Sequence, residues 1–351
     1  MNQFLFLIFL LFSNACFAQD SKNEARSFYE KEMAVCGGED SIFSRKGKWK
    51  RQGEDNLVFP DKTFPKSQYK FSFVRLDSIL AMLINSILDL SGMEPRWQRI
   101  IREDAYIPGG PVPYHLSNLF FTYYCNTNTN KILLGDETFN WVYVFVNKMN
   151  WFFHDVDKWI INDDGKPRTI YQLPPKAGKW KGMTVYEPDF FNGTPAKVTH
   201  RTVVIGRNGK IPWRTLTQKE YLTGLKNDYE TKVKKFKAGS GYEADYKNKL
   251  KYIHDYLSIT DEETIQQPAI IDPKSGIWGF KGKFGDEEEG GYRLALFGGG
   301  TKYFDTTLPR YVPQLIQLMW IYNTNEPVAL HFKNQFEENF PLEKLKAMID
   351  K

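Results

Sequence analysis

The run TFNWVYVFVNKM, Thr138 to Met149, leaves this chain few choices. Phe139, Trp141, Tyr143 and Phe145 alternate with Val142, Val144 and Val146. Side chains of a strand point alternately to its two faces, so both faces of this one are apolar. It reads as a central strand. KWIINDDGKPRTIYQL reads as strand, turn, strand, because Asp164-Gly165 supplies the positive φ that a tight hairpin needs. VVIGRNGKIPWR repeats the device with Asn208-Gly209. Four later runs, QPAIID, GIWGFKGKF, YRLALF and VPQLIQLMWIY, also have strand character.

Helices come in separate blocks. In FVRLDSILAMLINSILDLSG, Leu76, Ile79, Leu80, Leu83, Ile87 and Leu88 recur at three- and four-residue steps and make one apolar face. Ser91-Gly92 is the expected end. TLTQKEYLTGL carries a capping box, Thr217 with Glu220, ahead of the stripe Tyr221, Leu222, Leu225 and Tyr229. YEADYKNKLKYIHDYL continues the helical period after a break at Ala238–Gly241. A closing helix pair is split at Pro341, and an opening helix stops at Cys36-Gly37-Gly38. Blocks of strands and helices, with hairpin turns, predict an α+β fold. The sheets are expected to be largely antiparallel, with amphipathic helices packed on one side. The division expected is a signal peptide at 1–18, a helix and irregular basic segment at 19–65, and α+β lobes at 66–190 and 191–351. Those lobes form either one unit or two separable domains.

The amino terminus bears on location. Phe4 to Phe12 is nine apolar residues, and a membrane span needs about 20. The run suits the core of a secretory signal with cleavage between Ala18 and Gln19. A buried strand or an uncleaved anchor is the alternative. So is lipidation of Cys16 within SNAC, which would tether the chain to a membrane surface. The expected location is periplasmic, outer-membrane-associated or secreted, with no membrane-spanning helix once the signal is gone. Cleavage leaves Cys36 and Cys125, a disulfide candidate in an oxidising compartment or else two buried thiols.

Chemical motifs are scarce. The five histidines include no HExxH, and GxSxG, GxGxxG and the Walker loop are absent. His154, Asp155 and Asp157 in FFHDVDKW form the densest polar cluster, a weak binding candidate set against an ordinary strand end. No catalytic residue, metal site or cofactor is indicated. Glu287, Glu288 and Glu289 sit between glycines as a solvated loop tip, and Gly298–Gly300 permits a turn. Asn192-Gly193-Thr194 fits a glycosylation acceptor. The net charge of +5 is mild, although SRKGKWKR, Ser44 to Arg51, packs five basic residues into eight positions and reads as a solvated loop. A protein or glycan partner is therefore expected ahead of nucleic acid.

PVPYHLSNLFFTYYCN, YQLPPKAGKWKG, IPWRTLTQKEYL, YFDTTLPRYVPQ and KNQFEENFPLEKLKAMID resemble recurring blocks of a family of uncharacterised exported Bacteroidota proteins. The resemblance spans roughly Phe28 to Lys351 and carries no chemical motif. It implies an envelope or secreted location and assigns no activity. The expected role is a non-enzymatic binding or accessory protein of the envelope. The alternative is a hydrolase of envelope or dietary polymer with an acid pair that has no sequence signature.

Overall fold

The computed structural model describes residues 31, 33–58, 64–102, 105, 107, 109–150, 154–160, 167–188, 198–272, 280–297 and 303–351. The expected signal segment, Cys16, the Asp164-Gly165 turn, the Asn192 acceptor and Gly298–Gly300 lie outside them.

The first half of the chain holds α1 (Glu39–Phe43), β1 (Lys50–Arg51), β2 (Asn56–Val58) and α2 (Tyr69–Ser86). Next come β3 (Met93–Arg102), β4 (Tyr114–Asn126), β5 (Lys131–Leu134) and β6 (Trp141–Val146). Then β7 (His154–Ile160), β8 (Pro167–Gln172), β9 (Lys176–Trp180), β10 (Met183–Tyr186) and β11 (Val198–Gly206). The remainder holds β12 (Trp213–Thr215), α3 (Gln218–Lys235), α4 (Gly241–Ile259), α5 (Glu262–Ile265) and β13 (Ile270–Ile271). It closes with β14 (Tyr292–Phe297), β15 (Leu315–Asn323), α6 (Pro327–Asn339) and α7 (Leu342–Lys346). The fold is α+β, with two sheets.

The larger sheet runs β1-β3-β4-β6-β15-β11-β10-β9, with β2 also on β3 and β5 also on β4. Among the described strands, only β1 and β2 run parallel to their neighbour. The second sheet runs β12-β14-β8-β7, with β13 beside β14, and is antiparallel. The expected central strand is central: β6 lies between β4 and β15. Its valines join the main core with Leu76, Ile79 and Leu83 of α2 and Phe332 and Phe336 of α6. Its aromatics face the other way, with Met319 and Ile321. β15 is buried along its whole length.

The sheets meet through a third cluster that includes Val204 and Leu315 of the larger sheet and Trp213 and Ala295 of the smaller. The far face of the smaller sheet packs Ile170, Leu294 and Leu296 against Tyr221, Leu222 and Leu225 of α3 and Ile253 of α4. The layers are therefore helix, sheet, sheet, helix, with the helices on one side of each sheet as expected. Both sheets take strands from each side of residue 190, so they do not follow the expected lobes 66–190 and 191–351.

Several local expectations need correction. Asn208 (φ 52°) and Gly209 (φ 71°) do adopt the left-handed conformation. They link β11 of one sheet to β12 of the other, so they are a crossover and not a hairpin. β7 and β8 do pair antiparallel. Residues 280–284 of GIWGFKGKF are not strand, and it is β13 that pairs with β14. α2 stops at Ser86, short of Ser91-Gly92. There the Ser86 hydroxyl donates back to the Met82 carbonyl (2.5 Å) and Asn339 donates to the Ser86 carbonyl (3.3 Å). Ile87 still turns into the core, while Leu88 is 76% exposed. The basic run is not a free loop: Lys46 pairs with Asp89, Lys50 with Glu94 and Arg51 with Asp55.

Cys36 and Cys125 form a disulfide with Cα atoms 5.8 Å apart. It ties the amino-terminal turn to β4. No helix of the described residues is long and apolar enough to cross a membrane.

Candidate functional site: a cleft beside the sheet junction

Strand register builds an aromatic wall. Trp213 of β12 lies opposite Phe297 of β14, and Ala295 of β14 lies opposite Tyr171 of β8. Alternation puts these four on one face, while Leu294 and Leu296 face α3 and α4. Small Ala295 leaves the Tyr171 and Phe297 rings edge to face, 6.4 Å apart at 75°. A cavity of about 580 Å³ opens here, walled by Tyr171, Trp213, Phe297 and Tyr303 with Arg168 and Arg214. That volume is in the usual range for small-ligand sites. A smaller pocket of about 170 Å³ shares Ile211 and Trp213 and is lined by Tyr186, Tyr292 and Arg293.

The mouth is held by the crossover. The Tyr303 hydroxyl accepts from the Arg207 amide (3.2 Å) and lies 3.3 Å from the Lys210 and Gln314 carbonyls. Burial pushes the Tyr303 phenol up to about 12. Gly206 is needed beneath it, because a Cβ there would sit 1.8 Å from the Lys210 oxygen and 2.6 Å from the Tyr303 hydroxyl. Arg207 in turn bonds Asp350 (2.9 Å) and Asp305 (3.4 Å), tying the crossover to the YFDTT segment and the carboxyl terminus.

Arg214 is aimed by the start of α3. Its guanidinium bonds both oxygens of Glu220, one at 2.7 Å, and Glu220 also closes the capping box with Thr217. The Glu220 hydrogen bond holds Arg214 above its ordinary value, against the effect of burial. In the smaller pocket Arg293 is matched by Glu287, from the acidic loop tip, at 2.5 and 2.7 Å. That tip is a turn, closed by the Gly291 amide on the Asp286 carbonyl at 2.7 Å. The described lining of the larger cavity includes no carboxylate, imidazole or thiol.

Of the sequence candidates, His154, Asp155 and Asp157 lie on β7, behind β8 from the aromatic wall, with a register shift between Asp155 and Asp157. Their side chains are outside the described residues. Among the described residues no group of three or more His, Cys, Asp or Glu is placed to hold a metal ion.

Sequence reading missed one polar cluster. Asp89 accepts from Lys46 (2.7 Å) and from the Ser91 hydroxyl (2.5 Å), and its second oxygen lies 3.0 Å from His331 Nε2. Gln335 bonds the Asp89 backbone and lies 3.1 Å from the same His331 nitrogen. Serine, lysine, aspartate and histidine suggest a nucleophile relay, but the geometry is not one. Ser91 is 4% exposed and donates to the carboxylate, while His331 bonds Asp89 instead of Ser91. The Lys46 and Ser91 hydrogen bonds hold Asp89 well below the usual carboxylate range. The cluster fastens the amino-terminal loop, the segment after α2, and α6. Residues 46, 89, 91 and 331 are too scattered for any motif to announce them.

The cleft was equally hidden, since it is assembled from four separate segments. Comparison with protein-family models, curated proteins and solved structures finds no match to this chain.

Proposed function

We propose that this is an exported binding protein of the cell envelope and that its ligand is a glycan seated in the cleft beside the sheet junction. The observation that carries the reading is the cavity lining: four aromatic side chains with two guanidinium groups and, among the described lining residues, no acid or imidazole. Aromatic rings give sugar rings an apolar surface. The Arg168 guanidinium at the rim is a donor for hydroxyls, while Arg214, whose fork is held by Glu220, adds positive charge. Glycoside hydrolysis needs two carboxyl groups across the scissile bond, and the described lining holds none. The Cys36–Cys125 disulfide supports an oxidising location, as does the signal-like amino terminus. The resemblance to exported Bacteroidota proteins points the same way.

The test is a glycan panel of bacterial-envelope and plant oligosaccharides, followed by calorimetry on any hit. Two variants then locate the site. Trp213→Phe keeps the cavity wall apolar with a smaller ring, and Arg168→Ala removes a rim donor. Each is expected to weaken binding about tenfold, the usual effect of losing a charged hydrogen bond or a large contact face. Unchanged affinity in both variants, or the appearance of new reducing ends, contradicts the reading.

A further inference from the structure

The α3–α4 pair ends in a tip whose composition matches no internal task. Rings climb out of the core along it. Tyr229, 2% exposed, packs on Tyr246 at 5.4 Å, and Tyr246 stacks on Phe236 at 5.7 Å. Phe236 then stacks on Tyr242 at 5.3 Å. The last two are 36% and 69% exposed. An aromatic ladder that ends in water leaves apolar ring surface uncovered at its outer end.

Charge is arranged around that end. From Thr231 to Tyr242 the sequence has four lysines and no acid. Lys232 is paired with Asp228 (2.7 Å), and Glu243, the first acid beyond the turn, is taken by Lys247 (2.6 Å) and the Gly239 amide (2.5 Å). Lys234, Lys235 and Lys237 are exposed and have no ion pair among the described residues. Lys234 and Lys235 suit the carboxyl end of α3 by the helix dipole. Lys237 lies beyond the helix, so the dipole does not account for the whole cluster. The connecting Ala238–Gly241 is small-residued and lets the tip approach a surface closely.

We infer that this tip docks on an anionic phospholipid surface, with Phe236 and Tyr242 at the headgroup level and Lys234, Lys235 and Lys237 against lipid phosphates. Aromatic rings favour that level, lysine stems reach from it to phosphate, and each lysine near an anionic bilayer contributes about fivefold. Every residue from 234 to 239 is exposed and none lines either cavity described above, which fits contact with a surface ahead of enclosure of a polymer. The site is separate from the glycan cleft.

Cosedimentation of the unlipidated exported chain with vesicles tests it. Binding to phosphatidylglycerol-rich vesicles, weak binding to pure phosphatidylcholine and release by salt are expected. Reversing all three charges (K234E, K235E and K237E together) is expected to reduce binding about a hundredfold. F236A should reduce it severalfold and W213F should leave it unchanged, with circular dichroism showing that each variant is folded. Failure of the parent to bind phosphatidylglycerol overturns the inference, as does full binding by the triple variant. Binding to soluble dextran sulfate without binding to vesicles overturns it too, and would make the tip a polyanion site.

Discussion

His115 and His200 sit inside the larger sheet as neutral side chains. Among the described residues neither His200 ring nitrogen has a hydrogen-bond partner, and His115 Nδ1 has none. Burial lowers His115 to about 3, helped by the charge of Arg102, and burial alone lowers His200 to about 4. Unfolded histidine titrates near 6.5, so the unfolded chain takes up protons first as pH falls. The contribution of these residues is fully present above about pH 6.5 and is lost toward pH 4 and below. Each is worth on the order of 2–4 kcal/mol across that window. Thermal denaturation is expected to fall steeply from pH 7 to 4, and less steeply for His200→Leu. Glu326 has the opposite sign. Burial raises it, despite hydrogen bonds from Asn140, Asn323 and Thr122. A carboxyl raised in the folded state favours folding when protonated, and that contribution is lost as pH rises through its folded value. Glu326→Gln should therefore be more stable than the parent at pH 8, with the gap closing in acid. None of these three residues was legible in sequence, because burial of a single polar side chain leaves no local pattern.

At the scale of elements, what was readable was what short-range physics decides. The Thr217 and Glu220 capping box forms as expected, with Thr217 accepting from the Glu220 amide. Its apolar stripe is buried: Tyr221, Leu222, Leu225 and Tyr229. Thr217→Ala is expected to cost about 1 kcal/mol in denaturant unfolding. Because Glu220 also holds Arg214, Glu220→Ala should cost more and should loosen the rim of the cleft. Pro341 does divide α6 from α7. Misreadings arose where local chemistry had two tertiary uses. Asn208-Gly209 has the backbone of a hairpin turn yet carries the chain between sheets. Leu88 continued the periodicity of α2, but the helix ends first, at Ser86, whose carbonyl accepts from Asn339.

The whole molecule is a stack of two sheets between two helical layers, and the chain crosses between the sheets repeatedly. That interleaving is why the seam expected at residue 190 does not separate the two sheets. It also explains why the cleft was invisible: Tyr171, Trp213, Phe297 and Tyr303 converge only after β8, β12 and β14 pair. The disulfide acts at this scale, closing a sequence separation of 89 residues. In the chain-entropy account such a loop is worth roughly 4–5 kcal/mol. Reduction, or the paired substitution Cys36→Ser with Cys125→Ser, is expected to lower the midpoint of denaturant unfolding accordingly. An unchanged midpoint would mean that the bond restrains nothing the sheet does not already hold.

The most direct test of the binding account is hydrogen exchange on the intact protein, with and without saturating glycan from the panel. The account predicts slowed exchange in Pro167–Gln172, Trp213–Thr215 and Tyr292–Phe297, the three strands beneath the cleft, with no sugar product released. Slowed exchange confined to other strands, or none with any glycan in the panel, would contradict it.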